Sequence, residues 1–394
     1  MIKVFIACSG LGHVQRGFES FTRECFDTLI GEPSIQLTLF KGAGQPHEKE
    51  VTLWNLPRSD GKAIQLGKLT GRTGYNIEQS TFFLSLLPHI YRENPDIIYF
   101  SDINLGHALW HWRRFTKKRY KLLFSNGSPQ EPPFPRWDYI QQLTPFHLQQ
   151  ALDAGVPVEN QSLVPYGFHI SPQLQRLTPS EQKSLRVKLG LPDNQPLILS
   201  VGMIDKSHKR MDYLIREVAS LPQPRPYLLL LGQQDIESYE VINLGVQLLG
   251  SENFQVRTVK QHEVLSYYKV ADLFVLASLR EGLPRVLVEA MSYGLPCLVH
   301  DYAITKFVVG KDGYLANFQL TGSLANLITQ VLAEGYSESK YYLRHRNIYN
   351  RFSWEQLRPS YIEMIQQCAN VENLVSHNDS FQLSQSAIAV QNKL

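Results

Sequence analysis

The sequence predicts an α/β protein of two Rossmann-like domains, each a parallel sheet covered by helices. Three observations predict it. The chain has 394 residues and 43% of them are hydrophobic, more than a single core is expected to absorb. Short β-branched and aromatic runs alternate with longer segments of helical period, the pattern of parallel strands joined by crossover helices. That alternation stops in a polar, turn-rich stretch and then begins again, which implies a second sheet.

Taken in order, the first half places strands at residues 3–7, 35–40, 97–100, 121–124 and 162–164, with helices between them. The opening apolar run meets a turn at Ser9 and Gly10. It lacks the basic region and length of a signal peptide, so it is read as the first buried strand. Pro165, Tyr166 and Gly167 close the last strand of this half, and residues 177–195 carry Pro179, Pro192 and several charges. The domain boundary is therefore expected near residue 170, giving domains 1–170 and 171–369. The second half places strands at 197–201, 227–231, 253–256, 273–277 and 297–300. Residues 370–394, rich in Asn, Gln and Ser, are expected to form a flexible tail without chemistry.

Composition excludes several classes. A formal charge of +3 is too mild for a nucleic-acid partner, which calls for a concentrated basic surface. Cys8, Cys25, Cys297 and Cys368 form no C-x-x-C pair, against a disulfide framework or structural zinc and in favour of a reducing, cytoplasmic setting. No apolar stretch approaches the roughly 20 residues that span a bilayer. The expectation is a soluble protein, at most peripheral to a membrane.

Residues 271–296 carry the most information. A buried strand runs into a turn at Glu281 and Gly282, and a helix begins at Pro284 or Arg285 and closes at Gly294 and Pro296; proline suits a helix start. Such a helix start offers backbone N–H groups and a positive dipole end to an anion over Gly282, Leu283, Pro284, Arg285 and Val286. Glu281 in the turn accepts from sugar hydroxyls, and Glu289 about one turn into the helix accepts from a ribose diol. Two glutamates eight apart, taken alone, read as solvated acids. The whole string, from Ala271 and Asp272 through Glu281 and Glu289 to Pro296, resembles the Glu-x7-Glu signature of glycosyltransferase family 4.

Other segments resemble the same family in the same order, and together they cover the chain apart from its tail. The strand and turn at 198–204, with Gly202, are similar to the opening of the family's donor domain. His208, Lys209 and Arg210 are similar to its lysine-bearing helix start. Residues 164–167 and the segment around Trp354 resemble the interdomain strand end and the approach to the last helices, one of which returns to the first domain. Met203 stands where the family commonly has Arg, with Arg210 (where the family usually has Gly) or Lys206 as compensating cations or plain solvated charges. Gly12 matches the second glycine of the family's first loop. His13 beside it reads equally as a ligand contact or a cap. Asn126 stands where the family often has a histidine near the donor sugar, and reads almost equally as an Asn-Gly turn residue.

The resemblance implies a GT-B fold, the two domains facing each other across a donor/acceptor cleft. It also implies retaining transfer of a sugar from a nucleotide sugar, with UDP the expected nucleotide, to an acceptor hydroxyl on a glycan, a lipid or a small molecule. Lys209 faces the diphosphate with Arg285, Glu281 and Asn126 orient the sugar, and Glu289 holds the ribose. No Asp-x-Asp pair occurs in the chain, so no metal or other cofactor is expected beyond the nucleotide sugar as co-substrate. The alternatives are an epimerase or hydrolase of nucleotide sugars on the same fold, and a non-catalytic binding protein. The acceptor is unreadable; its pocket is expected from loops 71–77 and 129–137. The basic aromatic run 110–120 reads either as a peripheral membrane contact or as the end of a crossover helix with its aromatics inward, and the second reading is favoured.

Overall fold

The computed structural model describes residues 1–14 and 16–371. The tail expected from 370 therefore lies, beyond residue 371, outside the described residues. Chain contacts divide the protein into two compact units. One comprises residues 1–142, 148–164 and the segment from Ser360, and the other residues 143–147 and 165–359.

The first unit runs β1 (Ile2–Cys8), α1 (Gly17–Leu29), β2 (Ile35–Lys41), β3 (Glu50–Thr52), α2 (Gly61–Thr70), α3 (Gly74–Glu93), β4 (Ile97–Phe100), α4 (Ile103–Thr116), β5 (Lys121–Ser125), β6 (Tyr139–Gln142), α5 (Pro145–Asp153, from Leu148 on) and β7 (Gln161–Leu163). Its strands pair in parallel in the order β3-β2-β1-β4-β5-β6-β7. Phe5, Phe40, Phe82, Ile98, Leu122 and Phe124 are central to its core.

The second unit holds α6 (Pro179–Lys188), β8 (Leu197–Val201), α7 (Met211–Ala219), β9 (Tyr227–Leu231), α8 (Ser238–Leu249), β10 (Phe254–Arg257), α9 (Gln261–Val270), β11 (Leu273–Leu276), α10 (Arg285–Ser292), β12 (Cys297–His300), α11 (Ala303–Val309), β13 (Tyr314–Ala316), α12 (Ser323–Glu334), α13 (Glu338–Phe352) and the start of α14 (Trp354–Asn370). The parallel order is β10-β9-β8-β11-β12-β13. Its central strands are fully buried, Leu197–Val201 and Tyr227–Leu231 throughout, as strands covered on both faces must be. Counted from its own first strand, each sheet starts third, second, first, fourth, the doubly wound order of dinucleotide-binding folds.

Three strands escape a reading from hydrophobic runs. β3 and β13 are three residues long. β6 is half glutamine yet wholly buried. Its polar groups are met internally, since the Gln141 amide donates to the Val164 carbonyl (2.8 Å) and the Tyr361 hydroxyl (3.0 Å), and the Gln142 amide donates to Gln161 Oε1 (3.1 Å). Buried amides so paired cost little, and single-sequence periodicity does not register them.

From Ser360 on, α14 belongs to the first unit. Tyr361 and Ile365 are fully buried there, and the Tyr139 hydroxyl donates to Gln367 Oε1 (2.6 Å).

Candidate functional site

In the second sheet the chain order reverses between β8 and β11. In open α/β sheets the loops leaving two such strands part at their carboxyl ends, and ligands bind in the crevice there. The loop after β8 is built to lie flat. The Gly202 N–H donates to Leu231 (2.9 Å), and a Cβ on Gly232 would fall 1.6 Å from the Gly202 carbonyl oxygen. The aliphatic stem of Lys209 passes 3.0 to 3.1 Å from where a Gly202 Cβ would sit. Asp205 Oδ1 accepts from the N–H groups of His208 (3.0 Å) and Lys209 (2.5 Å), and Glu237 accepts from Lys206 (2.9 Å) and Ser207 (3.0 Å). The loop is thus held by carboxylates before α7 begins.

Across the crevice, β11 runs into the turn that carries Glu281. Lys209 Nζ donates to Glu281 Oε1 at 2.5 Å, with both side chains mostly buried at 15% and 10% exposure. This joins the two loops at the switch point. Pro284 stands at the N-cap of α10 with φ −73° and makes no side-chain cap hydrogen bond. The Pro284 carbonyl accepts from Leu287 (3.1 Å), while Leu287, Val288, Ala290 and Met291 anchor the helix in the core. An uncapped N-terminus beside an ammonium group is a favourable place for a phosphate.

Glu289 lies one turn further. Its Oε2 accepts from the Tyr268 hydroxyl at 3.1 Å, and the Tyr268 ring stacks on Tyr293 at 5.8 Å and 18°. Burial, then the Glu289 charge, pushes the Tyr268 phenol well above its usual range, so it stays a donor. Tyr268 is a site residue that sequence reasoning missed; within α9 it looks like one more apolar core position. Ser278 was also missed. Its hydroxyl is buried after β11 with no hydrogen-bond partner among the described residues.

The other cations proposed from the sequence have their own partners. Arg210 has φ 53°, donates to the Phe318 carbonyl (3.1 Å) and lies 4.3 Å over Tyr213. Lys206 pairs with Glu240 on the surface. Arg285 lies 4.4 Å over the Phe168 ring.

In the first unit, Gly12 has φ 92°, and a Cβ there would meet the Ala43 backbone at 2.3 Å. Only glycine fits that turn. His13 Nε2 is 2.8 Å from Asn55 Oδ1. Asn126 is buried, its amide donating to Gln142 Oε1 (3.0 Å) and its carbonyl accepting from the Gln130 N–H (2.8 Å). That pairing holds the loop after β5 in place. Below the Gly12 loop lies a buried polar cluster that the sequence did not suggest. Arg58 grips Glu78 (2.6 Å) and reaches Glu19 (3.5 Å), and Asp102 accepts from Ser9 Oγ (2.7 Å) and the Tyr75 hydroxyl (2.6 Å). On α4, His107 and His111 stand four apart, but the His107 ring stacks on Trp137 (5.3 Å) and its Nε2 accepts from Arg136 (3.0 Å).

Residues 181–351, which contain Lys209, Glu281, Tyr268 and Glu289, match the family model for glycosyl transferases group 1. This stretch is similar to a glycosyl transferases group 1 domain. Among curated relatives, the chain is 26% identical over 196 residues to the alpha-galactosylglucosyldiacylglycerol synthase of Streptococcus pneumoniae, covering 49% of each protein. It is 27% identical over 185 residues to the lipopolysaccharide glucosyltransferase WaaG of Escherichia coli, covering 46% of this chain and 45% of that protein. The chain thus spans about half the length of these relatives. Solved structures match over nearly the whole chain. The sucrose-phosphate synthase of Thermosynechococcus elongatus has a TM-score of 0.76 at 17% identity, over 93% of this chain and 99% of that one. Anabaena HepE in complex with UDP has a TM-score of 0.69 at 17% identity, over 93% and 100%. The two units therefore have the GT-B fold.

Proposed function

We propose that the protein is a retaining glycosyltransferase of family 4 that takes its sugar from a UDP-sugar and needs no metal. The observation that carries this reading is the Lys209–Glu281 pair at the second sheet's switch point, beside the uncapped start of α10 and one helical turn from Glu289. The likeness to HepE, solved with UDP, with UDP and glucose and with UDP-glucose, supports the choice of nucleotide.

On this reading the diphosphate lies against Lys209 and the first turn of α10. The ribose diol donates to Glu289, whose carboxylate Tyr268 holds in position. Glu281 accepts from the sugar hydroxyls and keeps the Lys209 ammonium in the crevice until phosphate takes its place. In the reaction the acceptor oxygen bonds to the anomeric carbon as the bond to the phosphate oxygen breaks. The leaving diphosphate takes the acceptor's proton on the same face. Lys209 then opposes a charge that grows on the leaving group, so its effect is larger in the transition state than before it.

A thermal-shift panel of UDP-, GDP- and ADP-sugars tests the reading. A UDP-sugar at about 100 times its Kd is expected to stabilise the protein by about 2.7 kcal/mol. Glu281→Ala and Glu289→Ala are each expected to lose most of that stabilisation. Lys209→Ala is expected to cost about 100-fold or more in kcat, the scale of one electrostatic donor to a developing oxyanion. Undiminished stabilisation in both glutamate variants would remove the site assignment. An inverted anomeric centre in the product would remove retention.

A further inference from the structure

The second unit carries a cavity that the proposed reaction does not use. Its volume is about 790 Å³, within the roughly 300–1,000 Å³ of small-molecule sites. Pro196, Asp272, Pro296 and Tyr314 on its lining stand at the amino ends of β8, β11, β12 and β13. The Lys209 and Glu281 loops leave the carboxyl ends. The length of β8, five residues or about 16 Å at the usual rise of a strand, lies between the two places.

Two arginines on this lining have no carboxylate partner among the described residues. Arg176 sits between two inclined tyrosine rings, its guanidinium carbon 3.8 Å from the centre of Tyr336 and 3.9 Å from that of Tyr341. Arg344 is 3% exposed. Its Nε donates to the Gly294 carbonyl (2.7 Å), its guanidinium carbon stands 5.0 Å from the Tyr341 ring centre, and it also reaches the Tyr314 phenol. Both cations thus share one tyrosine ring. A buried charge without a counter-charge is costly, and two of one sign add repulsion. The other charges on the lining are accounted for. Arg186 binds Asp272 (2.7 Å), Asp193 binds Lys183 (3.0 Å) and Lys340 binds Glu334 (2.8 Å), while Glu338 is exposed. Arg176 and Arg344 are what the cavity has left for an anion.

We propose that this cavity binds a small phosphate monoester and that the bound anion stiffens α10. A guanidinium fork meets phosphate oxygens in pairs. A dianionic phosphate has edges for two such forks, where a single carboxylate fills one. Gln182, Asn194 and Gln195 on the lining add amides for hydroxyl groups on the body of the ester. The tie to α10 runs through α13. Arg344 holds the Gly294 carbonyl, and the ring of the next residue, His345, meets the Ser292 carbonyl through Nδ1 at 2.6 Å. Both carbonyls lie at the carboxyl end of α10, so a ligand that fixes Arg344 fixes that end of the helix. The cavity and its ligand stand whether or not the crevice holds a nucleotide sugar.

Isothermal titration of the full chain with glycerol 3-phosphate, beside glycerol alone and at matched ionic strength, tests this. One equivalent of glycerol 3-phosphate is expected to bind, and glycerol is not. Arg176→Gln and Arg344→Lys are each expected to weaken binding about tenfold or more, the scale of a lost hydrogen bond to a charged group. Lys209→Ala, in the crevice, is expected to bind as the parent does. Amide hydrogen exchange in residues 285–295 is expected to slow when the ligand is added, and at the same concentration to stay unchanged in Arg176→Gln. Circular dichroism melts establish that each variant folds. Arg176 is exposed, so its variant decides the matter should Arg344→Lys not fold. No binding, binding that survives both arginine substitutions, or unaltered exchange in residues 285–295 of the parent would overturn the proposal. So would loss of binding in Lys209→Ala, which would put the phosphate in the crevice instead.

Discussion

At the scale of single residues, what distinguishes the candidate site is how its charges are held. Lys209 and Glu281 are each mostly buried and paired with each other, so neither group stands as an isolated buried charge. A diphosphate arriving at Lys209 exchanges one anion for another in a place already organised for the ammonium. Glu289 is steadied from behind by a tyrosine that burial keeps protonated. The first unit holds a different arrangement, with Glu19, Glu78 and Asp102 buried around Arg58. Burial is the largest influence on Glu19 and raises its pKa above the ordinary 4.5, with Arg58 opposing and Asp102 adding. Folded Glu19 therefore binds its proton more tightly than unfolded Glu19. Its contribution to stability is complete below the unfolded pKa and is lost as pH rises through the folded one. Glu19→Gln removes that dependence, so the variant is expected to gain on the parent in urea denaturation as pH rises above the ordinary 4.5. A constant difference between the two proteins over that rise would show that Glu19 does not titrate as described.

At the scale of elements, the site depends on strand ends that approach more closely than side chains permit. The carboxyl ends of β8 and β9 are tied by the Gly202 N–H to Leu231, and a Cβ at Gly232 would fall 1.6 Å from the Gly202 oxygen. Gly232→Ala must push the β8 loop aside and carry Lys209 with it. The expected cost is about 1 to 3 kcal/mol, the range for overpacking, together with a smaller thermal shift by the UDP-sugar. Gly61→Ala at the start of α2, where an added Cβ meets nothing within 4 Å, is the matched control and is expected to be neutral or slightly stabilising. Similar melting temperatures for the two variants would show that the close approach carries no constraint. Element by element, the sequence reading was strongest where a strand is a continuous apolar run, as at Leu197–Val201 and Tyr227–Leu231. It failed at β6, whose glutamines are buried only because Val164, Tyr361 and Gln161 are there to pair with them.

At the scale of the whole molecule, the last helix is shared. α14 starts in the second unit, and from Ser360 it contributes to the first, burying Tyr361, Met364, Ile365 and Cys368. Deleting four such side chains costs several kcal/mol each at the usual rate for core truncations, more than the roughly 5 to 15 kcal/mol that holds a domain folded leaves to spare. A chain ending at Pro359 is therefore expected to lose hydrogen-exchange protection in β1, β4 and β5. A chain ending at Val371 is expected to keep it. Protection surviving in the shorter chain would mean that the first unit folds without α14.

Much of this architecture was legible in the sequence alone. Alternating strand and helix patterns and their restart determined two parallel-sheet domains, because burial on both faces of a central strand demands a continuous apolar run. The string from Glu281 to Glu289 marked the candidate site through its resemblance to the Glu-x7-Glu signature, and its strand, turn and proline-led helix start gave the physical reading of an N-terminus open to an anion. Only the tertiary structure decided which groups meet there. The pairing of Lys209 with Glu281 joins residues 72 positions apart in the chain, and the hold of Tyr268 on Glu289 joins residues 21 apart. The burial of Asn126 between Gln130 and Gln142 is likewise a product of the fold. Such contacts depend on how strands are ordered across a sheet, and local periodicity carries no record of that order.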